Sequence, residues 1–447
     1  MKIAHLGDLH ISEGARLSDQ AATLGSIVDA IGGASPDLIL IAGDLYGRTV
    51  PHRSTPMERS VLIPAVSRMA SIAPVIVIYG NHDSDPDLDI LVQIGGAHPV
   101  RVIKNPTVIE VPTRSGVAHL YCLPYPSRRA LLGDDAPRGM AEVQSAMADR
   151  VTALLTMWAR RIRRVRGTEA AIGALTAPSA HVGLMHVQVS GSRTSGGEVL
   201  AGNEIEIGRL DLDAVPFDYV ALGHLHMRQE VALRAWFPGS PWRNDHAEID
   251  AKGWHLVNIL PDGVGPHTAG DATYALTLEA GAGGRSVVSR LACVVTHHPS
   301  PCRDFVTLDY RWGERDGAVT WIRRPDDAAI EDCRGAEVRM RLVVSEAHIG
   351  WCPWQGELVR VESIAHRVQE ERKVEPVIRV RAPAVAEAAT DEAKMRAFFE
   401  VLATPPTPTG IAGAVDALRE LATTDDDAIG VVTAAVVSHS ESTAGSA

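Results

Sequence analysis

The apolar run Pro74-Val75-Ile76-Val77-Ile78-Tyr79 stops at Gly80 and delivers Asn81, His82 and Asp83 in immediate succession. A short run rich in β-branched residues, without helical spacing and ended by glycine, reads as a buried strand. The same pattern recurs. Lys2–Leu6 runs into Gly7-Asp8-Leu9-His10, Asp37–Ala42 into Gly43-Asp44, His181–Met185 into His186, and Tyr219–Leu222 into Gly223-His224-Leu225-His226. Five strands thus each present Asp, His or Asn at the end where open α/β sheets place their ligands. A fold that gathers five such ends along one rim is the strongest constraint the sequence carries.

The segments between these strands have helical spacing, as in Ala21–Ile31 with Leu24, Ile27, Val28 and Ile31 on one face, and near Met57–Ser71. Further strands are expected at Val100–Ile103, Thr107–Val111 and His119–Leu123. The alternation predicts an α/β sheet covered by helices. Met140–Arg166 reads as a long amphipathic helix ending in Arg160, Arg161, Arg163, Arg164 and Arg166, a solvated terminus favoured by the helix dipole or a contact for a nucleic-acid backbone. Residues 261–285, rich in glycine and proline, read as turns or a hinge. Beyond them Ser286–Val295, Asp304–Tyr310, Ala318–Ile322, Ala336–Val344 and Val374–Arg381 are strand-like. The chain is therefore divided into residues 1–280, a small α+β unit at 286–382, and a C-terminal helical segment with a polar tail at 383–447.

The formal charge of the 447 residues is −12, but residues 383–447 hold ten acids against three bases, a net of −7, and the other 382 residues carry −5. Bulk charge neither supports nor excludes a nucleic-acid partner. The five cysteines are odd in number and never form Cys-x-x-Cys, which fits reduced thiols and a cytoplasmic location rather than a disulfide framework. No run of eighteen apolar residues exists, so no membrane span is expected.

Asp8, His10, Asp44, Asn81, His186, His224 and His226 together offer carboxylate, imidazole and amide donors without thiolate. Such a set suits divalent manganese, iron or zinc. Seven donors exceed the needs of one ion, so two ions sharing a carboxylate is the natural arrangement, poised to activate water against a phosphoryl group. His82 is left to protonate a leaving alkoxide or to stabilise charge on the phosphorane, with Asp83 orienting it. His5, His52, His98, His246, His297 and His298 read as structural.

Asp8-x-His10, Gly43-Asp44, Gly80-Asn81-His82-Asp83, His186 and Gly223-His224-x-His226 resemble the signature of the calcineurin-like metallophosphoesterase superfamily. That resemblance implies a β-sandwich flanked by helices (αββα). One ion would sit on Asp8, His10 and His226 and the other on Asn81, His186 and His224, with Asp44 bridging and His82 catalytic. A narrower resemblance rests on Phe237-Pro238-Gly239-Ser240-Pro241-Trp242-Arg243, the strand Gly253–Ile259, and Pro301-Cys302-Arg303-Asp304-Phe305. These are similar to the SbcD family of DNA-repair nucleases. That likeness implies manganese-dependent cleavage of DNA phosphodiesters, a capping domain at 286–382, a homodimer, and C-terminal helices that dock on an SbcC-like coiled-coil ATPase. No Gly-x-x-x-x-Gly-Lys-Ser/Thr loop is present, in keeping with ATP chemistry on a partner.

One position departs from the family pattern. After Gly43-Asp44-Leu45-Tyr46 the family usually continues with Asp or His, and here Gly47 follows; His52 in the same loop is a possible substitute. Three functions stay open: a DNA nuclease, a phosphodiesterase for small or cyclic nucleotides, and a weakly or non-catalytic DNA-end-binding subunit.

Overall fold

The computed structural model describes residues 1–47, 53–133, 139–171, 179–195, 205–260, 272–274, 277–280 and 286–376, with a few positions between 390 and 397. The protein is mixed α/β. A seven-stranded sheet runs in the order Ala272–Tyr274, Ala292–Pro299, Gly253–Leu260, Lys2–Leu6, Leu38–Ile41, Val75–Ile78, Val100–Ile103, the last four parallel. A six-stranded sheet runs Gln229–Ala232, Ala235–Phe237, Tyr219–Gly223, Ala180–His186, Gly116–Leu123, Thr107–Thr113.

The strands are unbroken apolar runs because both of their faces are covered. In Leu38–Ile41 every residue is buried, and alternate side chains serve different cores. Leu38 and Leu40, with Ile3, Ile76 and Ile78, meet Leu120, Val182, Leu184 and Ala221 of the other sheet. Ile39 and Ile41 face helices Leu17–Ala34 and Pro56–Ile72 through Ile27, Ile31, Leu62 and Val66. The outer face of the second sheet is covered by helix Met140–Ala171, whose Val151, Leu155, Trp158 and Ile162 bury one stripe against Tyr121, Met185 and Val220. The layers are helix, sheet, sheet, helix. Helix Pro56–Ile72 begins at a reciprocal cap in which the Thr55 hydroxyl accepts from the Glu58 amide and the Glu58 carboxylate accepts from the Thr55 amide.

Three features differ from the sequence reading. The arginine cluster at the end of helix Met140–Ala171 is not uniformly solvated: Arg166 is buried and lies 2.5 Å from the carboxylate of Asp218, itself buried just ahead of strand Tyr219–Gly223. The strand Ala292–Pro299 pairs along its length with Gly253–Leu260, so the first sheet continues beyond the glycine- and proline-rich stretch. A strand at Arg367–Glu375 went unread, since Arg-Val-Gln-Glu-Glu-Arg-Lys-Val-Glu is exposed on most sides and shows no apolar alternation.

A C-terminal β-rich region holds the four-stranded sheet Ala318–Arg323, Phe305–Arg315, Glu337–Ser345, Arg367–Glu375. By chain segment there are two compact units: Met1–Tyr310 with Arg323–Leu342 and Pro353–Glu371, and Arg311–Ile322 with Val343–Cys352 and the described residues from Arg372 onward. In the smaller unit Trp312 and Trp321 meet edge to face at 5.1 Å. Most of residues 261–285, the end of the expected strand Val374–Arg381 and nearly all of 383–447 lie outside the described residues. Among the described residues no helix is long and apolar enough to cross a membrane, and the five cysteines are free thiols.

At one edge the strand ends of the two sheets come into backbone contact. A Cβ placed on Gly223 would lie 2.0 Å from the carbonyl oxygen of Ala42, and one on Gly43, at φ +91°, would lie 2.5 Å from Nδ1 of His186. These glycines let the two rims close on each other. Gly223→Ala is therefore expected to destabilise the protein by about 1–3 kcal/mol, read as a lower urea midpoint; a midpoint unchanged from wild type would contradict the contact.

Candidate metal centre and active site

All seven expected ligands project from this closed edge. Asp8, His10 and Asp44 follow the first two parallel strands with φ of 54°, 43° and 53°, and His224 follows Tyr219–Gly223 at φ 112°. Non-glycine residues avoid these conformations, and strain of this kind persists where the surroundings hold it for function. The surroundings here are hydrogen bonds: the Asp8 amide to Gly43 O, the His10 amide to Asp44 O, and the His224 amide to Oδ1 of Asp8 at 2.8 Å.

The ligand atoms then meet in two groups. His10 Nε2 lies 2.9 Å from His226 Nε2, and Asp8, His10 and His226 offer donor atoms within 4.8 Å of one another. On the other side Asn81 Oδ1 lies 3.0 Å from His186 Nε2 and 3.2 Å from His224 Nδ1. Asp44 stands between the groups, with Oδ2 3.5 Å from both His10 Nε2 and His186 Nε2. The half-buried Tyr125 ring flanks the second group, 6.2 Å from His186 and 6.1 Å from His224.

The donor set fits divalent cations. His186 Nδ1 donates to the Ala42 carbonyl at 2.6 Å, and His226 Nδ1 donates to Glu248 Oε1 at 2.7 Å, so both rings aim Nε2 inward. Asp8 Oδ2 is fully buried with no hydrogen-bond partner. An orphaned carboxylate oxygen and several inward lone pairs facing one another are costly unless a cation sits among them. The electrostatics agree. Burial raises the Asp8 carboxyl above its usual range, and Asp44 adds to this. Burial works in the same direction on Asp44, but His186, ahead of His10, outweighs it and holds that carboxyl low. Burial opposes charge on His186, yet Asp44 and then Asp8 raise it to about 9, whereas burial takes His10 down to about 3. The bare site thus holds a proton where metal would displace one.

His82 lies on the wall of the same cavity. Its amide donates to Asp44 Oδ1 at 2.9 Å, its ring packs edge-on against His10 at 4.7 Å, and its Nδ1 has no hydrogen-bond partner. Asp83 does not orient it. Both Asp83 oxygens accept from backbone amides, Asp44 at 2.8 Å, Leu45 at 2.9 Å and Gly80 at 2.9 Å. Asp83 instead ties the turn after Leu38–Ile41 to the turn after Val75–Ile78, a job that its place beside His82 in the chain concealed. His297 and His298 pack on His255 and Trp254.

Glu248 was not read from the sequence. Its Oε2 accepts from buried Lys252 at 2.9 Å and from the Asn244 amide at 3.1 Å, while Oε1 holds His226. Burial works against its charge, but His226 and Lys252 keep the carboxyl at about 2. The signal lies in the Gly239-Ser240-Pro241 turn: the Ser240 amide donates to His226 O at 3.1 Å and the Ser240 hydroxyl lies 3.3 Å from Glu248 Oε2. Arg243 of that segment points elsewhere, to Glu248 O, Arg303 O and Asp304. Gly47 packs on the first ligand loop, where a Cβ would meet Ser12 Oγ at 2.0 Å and His10 O at 3.1 Å. His52 lies outside the described residues. His10, Asp44, Asn81, His82, His224 and His226 line a cavity of about 330 Å³, with Arg16 and Gly47 also on its wall.

The calcineurin-like phosphoesterase family model matches residues 1–228, just over half of the chain. The chain belongs to this family. As a calcineurin-like phosphoesterase it is a metal-dependent hydrolase of a family that typically binds two metal ions, and clusters of Asp and His able to hold metal are present at this edge. Two solved structures show similarity. One, described as GAP50, the anchor in the inner membrane complex of Plasmodium, aligns over 57% of this chain and 73% of its own at 12% identity and a TM-score of 0.35. The other, the phosphoesterase YfcE of E. coli, aligns over 27% of this chain and 56% of its own at 20% identity and a TM-score of 0.18.

Manganese affinity should rise with pH between 6 and 8, about tenfold per unit if one proton leaves His186 on binding. Glu248→Ala should weaken it about 10–100-fold. Calorimetric titration reads both; a flat pH dependence, or wild-type affinity in the variant, would contradict this assignment.

Proposed function

We propose that this phosphoesterase is an SbcD-like nuclease that hydrolyses DNA phosphodiester bonds and works with an SbcC-like ATPase. The observation that carries the reading is the Phe237–Arg243 segment. With Gly253–Ile259 and Pro301–Phe305 it resembles SbcD beyond the shared phosphoesterase signature, and its Gly-Ser-Pro turn is tied to His226 and Glu248.

Asp8, His10 and His226 would hold one ion, Asn81, His186 and His224 the other, and Asp44 both. Such a pair, manganese in this reading, supplies Lewis-acid polarisation of the phosphodiester and a more acidic water. The protein's own groups do the rest. Glu248 and the Ala42 carbonyl fix the inward nitrogens of His226 and His186. His82, on the cavity wall, gives a proton to the leaving alkoxide oxygen.

Gly47 favours a second reading, a DNA-end-binding subunit with little turnover, because no acidic or imidazole side chain occupies that position on the cavity wall.

The test is degradation of end-labelled double- and single-stranded DNA with manganese, magnesium or EDTA, beside a chromogenic small phosphodiester. Manganese-dependent cleavage that falls at least about 100-fold in His82→Ala is the expected outcome. Turnover of the small ester alone would contradict it. Salt-sensitive DNA binding without turnover would favour the second reading.

A further inference from the structure

The first two ligand loops run side by side. The His10 amide donates to Asp44 O, the Ile11 amide to Leu45 O and the Gly47 amide to Ile11 O, each at 3.0 Å, and Ile11 pairs with Tyr46 as a parallel bridge. Ser12 and Gly47 therefore emerge next to each other, and both line the cavity formed by His10, Asp44, Asn81 and His82. A Cβ on Gly47 would meet Ser12 Oγ at 2.0 Å, so the hydroxyl occupies the place that a side chain at 47 would take. The backbone of Gly47 lies outside the left-handed region, so space rather than φ is what excludes a side chain there.

Ser12 is held in place while its hydroxyl stays available. Its amide donates to Oε1 of buried Gln20 at 3.1 Å, which fixes the residue against helix Leu17–Ala34. The hydroxyl lies 3.3 Å from the His10 carbonyl oxygen, longer than an ordinary O–H···O bond. Gln20 Nε2 already donates to that same oxygen at 3.2 Å. A hydroxyl so weakly engaged turns to a better acceptor without leaving the carbonyl unpaired. Asp44, Asn81 and the inward imidazole nitrogens are committed to the metal centre, whereas Ser12 is a neutral donor outside that set. The acceptor that a phosphoesterase brings into this cavity is a charged phosphoryl oxygen, to which a hydroxyl bonds more strongly than to a carbonyl.

We propose that the Ser12 hydroxyl donates a hydrogen bond to an oxygen of the substrate's phosphoryl group, filling from the first ligand loop the place that Gly47 leaves open on the second. Gly47 is then the partner that makes room for Ser12. Such a contact needs the loaded metal centre but not DNA, so it stands or falls separately from the nuclease reading.

The experiment compares wild type, Ser12→Ala, Ser12→Gly, Gly47→Ser and the double variant Ser12→Gly with Gly47→Ser. Melting temperature and manganese titration establish that each is folded and loaded. Binding of inorganic phosphate to the manganese-loaded protein is then read by calorimetry. In Ser12→Ala manganese affinity should stay at the wild-type value while phosphate affinity falls about tenfold, the loss of one hydrogen bond to a charged group. Gly47→Ser alone should crowd the two loops and lower the melting temperature. The double variant moves the hydroxyl to the other loop, and should recover the melting temperature and part of the phosphate affinity that Ser12→Gly loses. Equal phosphate affinity in Ser12→Ala and wild type would overturn the proposal. So would a fall in manganese affinity of the same size, which would make Ser12 only a support for His10. A double variant that binds phosphate no better than Ser12→Gly, or a manganese-loaded wild type that takes up no phosphate, would overturn it too. A Ser12-dependent phosphate site in a protein that leaves DNA intact would uphold the proposal and contradict the nuclease reading alone.

Discussion

Two buried carboxylates, Asp8 and Asp44, share donor distance with His186 at the meeting edge of the two sheets. Like charges removed from water repel each other and resist ionisation unless cations compensate. Much of the surrounding architecture answers this demand. The sheets present their parallel strand ends to one another, glycines let the backbones touch, and positive-φ turns carry Asp8, His10, Asp44 and His224. Carbonyl and carboxylate partners then fix the His186 and His226 rings so that Nε2 of each faces the centre.

The support for these ligands comes from distant parts of the chain. Asp83 joins two successive strand ends through three backbone amides. The Gly239-Ser240-Pro241 turn fastens the His226 loop, and buried Lys252 balances Glu248 behind it. The Gly239-Ser240-Pro241 segment is thus part of how the centre is held.

Much of this was legible in the sequence because strands covered on both faces must be apolar throughout, so Val75–Ile78 or Leu38–Ile41 announce themselves, and any polar residue at their ends stands out. The helices Leu17–Ala34 and Met140–Ala171 were legible for the same reason, through one buried stripe each. What was not legible depends on tertiary contact. Asp83 follows His82 in the chain but its carboxylate turns to the backbone. Glu248 and Arg16 sit in polar loops where nothing local distinguishes them from solvated charges. Arg166 reads like its four arginine neighbours until Asp218 meets it. The strand Arg367–Glu375 is paired through its backbone while its side chains stay polar, so periodicity could not find it.

Manganese titrated into the metal-free protein, with bound metal counted and its electron paramagnetic resonance spectrum recorded, tests the central claim most directly. The expected result is two ions per chain with a spin-coupled signal, and loss of the coupling in Asp44→Asn as the shared carboxylate is removed. A single bound ion, or two ions with uncoupled spectra in wild type, would contradict a centre bridged at Asp44.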